Sequence, residues 1–212
     1  VTYVPDTTGE ITKAAITVTA QTQTRTYDGT TTSTVDPVRS GTIFSGDTVT
    51  TEATQAFDNK NAGTSKTLTA SGLVIDDGNA GGNYDVTYVP DTTGEITKAA
   101  ITVTAQTDTR TYNGTTASSV SPTRSGTIFS GDTVTTEATQ AFDNKNAGTG
   151  KTLTASGLAI DDGNSGGNYE VTYVPDTTGE ITKAAITVTA QTQTRTYDGT
   201  TTSTVDPVRS GT

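Results

Sequence analysis

The chain has no cysteine, histidine, methionine or tryptophan among its 212 residues. Without cysteine there is no disulfide framework, no thiolate zinc site and no thiol nucleophile. Without histidine the chain lacks the usual general base and a common metal ligand. These absences disfavour catalysis, and we predict that the protein is not an enzyme.

Long apolar runs and basic clusters are also missing. No run approaches the roughly 18–20 apolar residues of a membrane-spanning helix, so we expect no direct membrane insertion. Thirteen Lys and Arg stand against 23 Asp and Glu, and the formal net charge is −10. Nucleic acids and anionic membranes bind basic patches. We therefore expect no nucleic-acid partner.

A long internal repeat dominates the sequence. The stretch VTYVPDTTGEITKAAITVTA begins at Val1, Val86 and Val171, which gives a period of 85 residues without insertion or deletion. The first two copies differ at ten positions, and residues 171–212 repeat residues 1–42 unchanged. A period of 85 residues matches a small independent domain rather than one turn of a solenoid.

The apolar residues alternate with polar ones in a β pattern. Ile16–Ala20 alternates, and Tyr84, Val86 and Tyr88 share one face. No stretch has a sustained helical period. The sequence therefore predicts an all-β protein of tandem small modules arranged end to end as an elongated array. Val4–Gly9 is interpreted as a hairpin loop between two closing strands.

Strand parity places the boundary between modules. Ile11 lies at an odd position and Ile16 and Val18 at even ones, so the register shifts across Lys13–Ala15. We interpret residues 1–13 as the last strand of a preceding module. Residues 14–98 and 99–183 are then two complete modules, and residues 184–212 begin a third. No Gly/Ser-rich or Pro-rich linker separates them, which predicts a short and stiff joint.

The unit resembles the YDG-type repeat domain of bacterial surface adhesins, the large filamentous-haemagglutinin-like repeat proteins. The motifs that carry the resemblance are ITKA at Ile11–Ala14, ITVTA at Ile16–Ala20, TYDGT at Thr26–Thr30, SGDTVT at Ser45–Thr50, FDNKNAGTSKTLTASGL at Phe57–Leu73 and GGNYDVTY at Gly81–Tyr88. The resemblance implies a secreted, cell-surface β module used in tandem. It leaves open an immunoglobulin-like sandwich or a β-grasp-like fold.

The YDG motif itself is predicted to be a structural turn. Asp28-Gly29 and Asp198-Gly199 have Asn113-Gly114 as their counterpart in the second copy. Asparagine cannot replace aspartate as a base or nucleophile, whereas both residues are favoured at two-residue hairpin turns. The substitution therefore argues for a turn and against chemistry.

An acidic loop is a weak candidate for calcium. Carboxylate and amide oxygens are the ligands that Ca²⁺ prefers, although the spacing does not match an EF-hand loop. The alternative is a solvated loop in which Asp and Asn bond to their own backbone. The candidate ligands are Asp76, Asp77 and Asn79 with their counterparts Asp161, Asp162 and Asn164.

Two further hypotheses concern single side chains. A cross-link from Lys13, Lys60 or Lys66 to Asp28 or Asn113 would need a buried triad, and Lys60 and Lys66 are expected to be solvated. Tyr27 and Tyr84 are the candidates for an exposed aromatic platform that binds glycans, and both are equally compatible with a core position.

Two functional hypotheses remain. The leading one is a structural spacer, a stalk of repeats that projects the binding tip of a large secreted bacterial adhesin or filament. The alternative is a repeated, low-affinity binding module for glycans or surface proteins that acts through avidity. The expected partners are neighbouring modules of the same chain, laterally associated copies, or host or surface glycans.

Overall fold

A computed structural model describes residues 1–211 of the chain. These residues contain no helix, so the all-β prediction is confirmed, with two tandem modules of about 85 residues. Accordingly, nothing in residues 1–211 is a helix long and apolar enough to span a membrane.

The strands of the first repeat are short and evenly distributed. They are β1 (Ala14–Thr19), β2 (Thr24–Thr26), β3 (Val38–Ser40), β4 (Thr48–Thr51), β5 (Thr54–Phe57), β6 (Gly63–Ser71), β7 (Val74–Asp76), β8 (Tyr84–Val89) and β9 (Asp91–Thr97).

The same strands recur 85 residues later. They are β10 (Ala99–Thr104), β11 (Thr109–Thr111), β12 (Thr123–Ser125), β13 (Thr133–Thr136), β14 (Thr139–Phe142), β15 (Gly148–Ser156), β16 (Ala159–Asp161), β17 (Tyr169–Val174) and β18 (Asp176–Thr182), followed by β19 (Thr187–Thr189) and β20 (Val208–Ser210).

Parallel pairs join the beginning of the first repeat to its end. The strand order is β3–β1–β8 in a three-stranded sheet and β2–β9–β6–β5 in a four-stranded sheet, and β4 pairs with β7. Strand β1 is parallel to β8, with Ile16 opposite Val86, and β2 is parallel to β9, with Arg25 opposite Ile96. A repeat is therefore complete only when its first and last strands are both present.

The alternating residues of these strands form the core. Ile16 and Val18 of β1, Leu68 of β6 and Ile96 of β9 are at most 1 % exposed. Burying each such side chain stabilises the fold by roughly 1.5–3 kcal/mol. The polar residues between them are more exposed, as period-two strands with one buried face require.

The predicted hairpin loop is wrong. In the first complete repeat the counterpart of Val4–Gly9 is Val89–Gly94, and Asp91–Gly94 lies in strand β9, whereas β8 belongs to the other sheet. A side chain at Gly94 would place a Cβ 2.6 Å from Leu68 Cδ1 and 3.1 Å from Phe57. The glycine thus permits a close approach of two strands rather than a turn.

The chain divides into two compact units. The first comprises Val1–Ala100, Thr127–Thr133 and Ile160–Glu170, and the second comprises Ile101–Gly126, Val134–Ala159 and the described residues from Val171 onward. In the second unit, strands β11, β18, β15 and β14 form a sheet with Ile181 and Leu153 in its core. The first unit includes two loop segments of the second repeat, and these segments carry the site described next. The module limits 14–98 and 99–183 remain a prediction.

Candidate functional site: a buried carboxylate in the first unit

The YDG motif shapes a bend. Asp28 Oδ1 accepts hydrogen bonds from the N–H and hydroxyl of Thr30 at 2.8 and 2.9 Å, and the carboxylate pairs with Arg25. Of the two residues Asp28 and Gly29, only Gly29 has a positive φ, which is 83°. The two-residue hairpin predicted above is therefore wrong, because β2 before the bend pairs with β9 rather than with the strand that follows. An Asx-type side-chain bond holds the bend instead.

Asparagine serves this bend as well as aspartate does. Asn113 Oδ1 accepts from the N–H of Thr115 at 3.1 Å and from Arg110. The third copy has the same arrangement, with Asp198 accepting from Thr200 at 3.0 Å ahead of Gly199. Gly114 and Gly199 have φ values of 82° and 78°. The motif needs an acceptor oxygen followed by glycine.

The acidic loop is closed by its own backbone. Asp77 accepts from the N–H groups of Asn79, Gly81 and Asn83 at 2.7–2.9 Å, and Asp76 accepts from Gly78. Burial alone would raise the pKa of Asp77, but the three backbone donors outweigh it and lower that pKa.

In the second repeat Asp162 accepts from Asn164, Gly166 and Asn168 at 2.7–2.9 Å, while Asp161 accepts from Gly163. Among residues 1–211, no three acidic side chains are grouped to hold a metal ion. The carboxylates of this loop bind backbone N–H groups, which gives the calcium hypothesis no geometric support.

The loop closed by Asp162 carries Asn168 into a buried contact. Asn168 Oδ1 accepts from the N–H of Ala62 at 2.8 Å, and its Nδ2 donates to Asn61 Oδ1 at 3.2 Å. Asn168 is fully buried and Asp162 is 1 % exposed. Ala62 and Asn61 lie in the β5–β6 loop of the first repeat, so the two repeats meet here within the first unit.

A buried carboxylate is the centre of this contact. Asp132 lies in the β12–β13 loop, and its side chain is completely buried. It accepts hydrogen bonds from the hydroxyl of Tyr27 at 2.8 Å, the hydroxyl of Tyr169 at 2.7 Å and Nζ of Lys60 at 3.0 Å. Three donors satisfy a charge that would otherwise be costly to bury.

Aromatic rings enclose the carboxylate. Tyr27 is 1 % exposed and meets Phe129 edge-to-face, with ring centroids 5.7 Å apart. Its ring also meets that of Tyr169 at 5.5 Å. Lys60 Nζ lies 5.8 Å from the Tyr27 centroid. The rings exclude water, which strengthens the hydrogen bonds to Asp132. We call Tyr27, Lys60, Asn61 and Ala62 the platform, and Phe129, Asp132, Asn168 and Tyr169 the cap.

The electrostatics favour a charged pair. Burial alone would raise the pKa of Asp132, but the hydrogen bonds from Tyr169, Tyr27 and Lys60 outweigh it and lower that pKa. The Tyr27 hydroxyl and Asp132 raise the pKa of Lys60 to about 12. Burial together with Asp132 raises the pKa of Tyr169 to about 12. At neutral pH Asp132 is therefore anionic, Lys60 cationic and both tyrosines neutral.

Half of this cluster already exists inside a single repeat. In the first repeat the hydroxyl of Tyr84 donates to Asp47 at 2.6 Å and accepts from the N–H of Phe44 at 3.0 Å. The same bond joins Tyr169 to Phe129 in the second repeat. The cap is thus a preformed element of each repeat, and the platform of the preceding repeat completes it.

Several sequence expectations change here. Tyr27 and Tyr84 are 1 % and 4 % exposed, so neither offers an exposed aromatic ring on which a glycan could stack. Lys60 pairs with Asp132, and Lys66 is 7 % exposed and pairs with Asp58 at 3.3 Å, so neither is freely solvated. Both candidate acceptors of the cross-link contact an arginine: Asp28 pairs with Arg25, and Asn113 accepts from Arg110.

Comparison with known proteins identifies the family. The model of the YDG domain matches residues 12–93 and 97–178, which together are more than half of the chain. The chain therefore belongs to the YDG domain family, and it carries two tandem copies. No curated protein and no solved structure is similar enough to match.

Proposed function

We propose that the chain is a structural spacer, a run of repeats in the stalk of a large secreted bacterial adhesin or filament, where it projects a binding tip from the cell surface. The observation that carries the proposal is the buried Asp132 with its three donors from two repeats. A spacer needs joints that resist bending, and a satisfied buried charge specifies one arrangement of its neighbours.

The covalent connection supports the same role. Only Lys98 separates strand β9 from strand β10, so the chain has almost no slack between successive repeats. Modules that act independently are typically joined by longer flexible linkers. The cell-surface setting and the adhesin context rest on the sequence resemblance described above.

Small-angle X-ray scattering on this chain and on versions extended by two and four further repeats tests the proposal. The maximum dimension should increase linearly with the number of repeats. Asp132→Ala should broaden the distance distribution of the 212-residue chain, whereas Asp47→Ala should leave it unchanged. Weak growth of the maximum dimension with repeat number would contradict a spacer.

One groove in the first unit favours the alternative function, a binding module for glycans or surface proteins. A groove of about 630 Å³ in the first unit is lined by Thr50, Leu73, Val74, Ile75, Asp76, Ala80, Gly81 and Val86. Its lining combines apolar side chains with Thr50 and Asp76, a mixture that suits a small ligand. A glycan array probed with the 212-residue chain tests it, with Val74→Asp as the control that places a charge in the apolar part of the lining. Saturable binding lost in the variant would favour the alternative.

A further inference from the structure

The two ends of the first repeat run side by side in one parallel ribbon. We call residues 14–27 the entry segment and residues 83–97 the exit segment, because the chain begins the repeat with the former and ends it with the latter. Strand β1 of the entry segment is parallel to β8 of the exit segment, and β2 is parallel to β9. Both segments thus pass together from the three-stranded sheet into the four-stranded sheet.

Backbone hydrogen bonds join the two segments at both ends of the ribbon. At the first end the N–H of Ala14 donates to the carbonyl of Asn83 at 2.9 Å. At the second end the N–H of Tyr27 donates to the carbonyl of Thr97 at 2.8 Å. With the usual rise along a strand, the ribbon between these two bonds is about 45 Å long.

The ribbon continues through the change of sheet. The N–H of Ala20 donates to the carbonyl of Val89, and the N–H of Glu95 donates to the carbonyl of Gln23, both at 2.9 Å. Only Pro90 separates β8 from β9 in the exit segment. The two segments are therefore joined on both sides of the change of sheet as well as at both ends of the ribbon.

Tension along the chain would reach this ribbon at opposite ends. The preceding chain joins the entry segment at Ala14, and the following chain leaves the exit segment at Thr97, which lies at the other end of the ribbon. Because the segments are parallel and their bonds are evenly spaced, the two pulls slide one segment along the other and strain all of these bonds at once. A pull on two residues at the same end would instead break the bonds one after another.

We propose that this ribbon is a mechanical clamp, which keeps the repeat folded when the chain is pulled through its two ends. Strands β3 to β7 lie between the two segments in the sequence, so tension reaches them only after the ribbon has parted. Parting also uncovers apolar side chains, because Ile16 and Val18 of the entry segment and Ile96 of the exit segment are at most 1 % exposed.

The second unit contains the same parallel pair at the end of its own repeat. There β11 is parallel to β18, with Arg110 opposite Ile181. The N–H of Tyr112 donates to the carbonyl of Thr182 at 2.8 Å, as the N–H of Tyr27 does to Thr97. A run of such repeats would therefore meet tension with one clamp in each repeat.

Single-molecule force spectroscopy on the 212-residue chain tests the clamp by pulling the same ribbon in two directions. The chain contains no cysteine, so two introduced cysteines define the attachment points. Lys13→Cys with Lys98→Cys, the shear pair, attaches the handles at opposite ends of the ribbon. Lys13→Cys with Asp85→Cys, the unzipping pair, attaches them at the same end, because Asp85 lies opposite Ala15. All three substituted residues are exposed.

We expect the mean unfolding force of the shear pair to be at least about twice that of the unzipping pair at one pulling speed, because forced unfolding is governed by the rate of unfolding. Unfolding of the first repeat in the shear pair should lengthen the tether by about 260 Å, the extended length of its chain less the length of the folded ribbon. Equal forces for the two pairs, or a lower force for the shear pair, would overturn the clamp.

Two controls accompany the force measurement. Denaturant unfolding without force should give the same midpoint for both variants, so that the direction of pulling alone accounts for the difference in force. Resistance to tension within a repeat and stiffness of the joints between repeats are separate properties. The scattering test of the spacer and the force test of the clamp can therefore fail independently of each other.

Discussion

Tyr27 and Tyr112 occupy equivalent positions in closely similar local sequences, yet Tyr27 is buried and Tyr112 is exposed. Each follows a short strand and precedes an Asx-type bend held by Arg25 or Arg110. Tyr27 is 1 % exposed because the cap residues Phe129 and Asp132 cover it in the first unit. Local sequence thus sets the bend, whereas the next repeat sets the burial.

A second comparison shows how the repeats tolerate substitution. Gln23 binds Thr34 through its side-chain amide at 2.7 Å, whereas its counterpart Asp108 accepts from the N–H of Ser119 at 2.9 Å and from Ser118. Both Gln23 and Asp108 are buried. Both residues of the Gln23–Thr34 contact differ in the second repeat, where Asp108 and Ser119 still bond to each other. The platform and cap residues are the same in both repeats.

Asp132→Ala should have the largest effect. It leaves the hydroxyls of Tyr27 and Tyr169 and the ammonium of Lys60 without their shared acceptor, at a cost of about 3 kcal/mol. Amide hydrogen exchange at Ala62, which Asn168 protects, measures the free energy of opening. The matched control Asp47→Ala should not alter exchange at Ala62, and equal rates in both variants would contradict the central role of Asp132.

Acid should weaken the same contact. Because the pKa of Asp132 is lowered from its ordinary value of 3.8, its contribution is complete above about that pH and is lost as the pH falls through the lower folded value. At the alkaline end, Lys60 contributes fully below 10.5 and loses its contribution as the pH rises through about 12.

NMR signals of Tyr27 followed during an acid titration would measure this loss. The acid limb should vanish in Asp132→Asn, whose side chain does not titrate. An acid limb of the same size in wild type and variant would assign the loss to other carboxylates.

The tyrosine pair provides a smaller and cleaner test. Tyr27→Phe removes one donor to Asp132 and should lower the free energy of unfolding of the first unit by about 1 kcal/mol. Tyr112→Phe removes a hydroxyl from an exposed side chain and should change stability by less than about 0.5 kcal/mol. Denaturant unfolding of both variants measures the difference, and similar losses would show that the two sites are not distinct.

A difference in residue type at one left-handed backbone position should have an effect of similar or smaller size. Ser65 in β6 and its counterpart Gly150 in β15 are both left-handed, with φ values of 56° and 64°, but only Ser65 carries a side chain. A side chain in this region is strained, so Ser65→Gly should stabilise by about 0.5–1 kcal/mol and Gly150→Ser should destabilise by a similar amount. Thermal unfolding measures both, and shifts of the same sign would refute strain as the cause.

Asn113→Asp should have the smallest effect. Asn113 already accepts from Thr115 and Arg110, and the carboxylates of Asp28 and Asp198 make the same bonds in the other copies. The added ion pair is exposed and should contribute less than about 0.5 kcal/mol. Thermal unfolding against Asn113→Ala, which removes the acceptor and should destabilise measurably more, checks this.

Much of the strand content was predictable. Ile16–Thr19 and Tyr84–Tyr88 lie in β1 and β8, because alternation reflects one buried face in any sheet. The pairing of strands was not predictable. Val49 and Phe57 belong to one alternating pattern in the sequence, yet β4 and β5 lie in different sheets. The residues Asp91–Gly94 have the composition of a turn, yet they lie in a strand where Gly94 allows close packing against Leu68.

The candidate site was only half visible in the sequence. From the sequence, Lys60 was predicted to be solvated and Tyr27 to be either an exposed or a core aromatic. No role was predicted for Asp132. One sequence signal could have pointed to Asp132, namely that the SGD and GGNY motifs recur together in the first two copies. The structure shows that these motifs meet, because Tyr84 bonds Asp47 within the first repeat. Nothing in the residue order indicated that a neighbouring repeat supplies the other two donors.

The sequence by itself determined the 85-residue period, the all-β class and the bends at Asp28 and its counterparts. These depend on alternation along a strand and on bonds between residues two apart, such as Asp28 with Thr30. Only the tertiary structure decided that Asp132 is a buried anion, because its donors Tyr169, Lys60 and Tyr27 lie 37, 72 and 105 residues away along the chain. Burial and pairing over such separations follow from the packing of whole sheets, which no local pattern encodes.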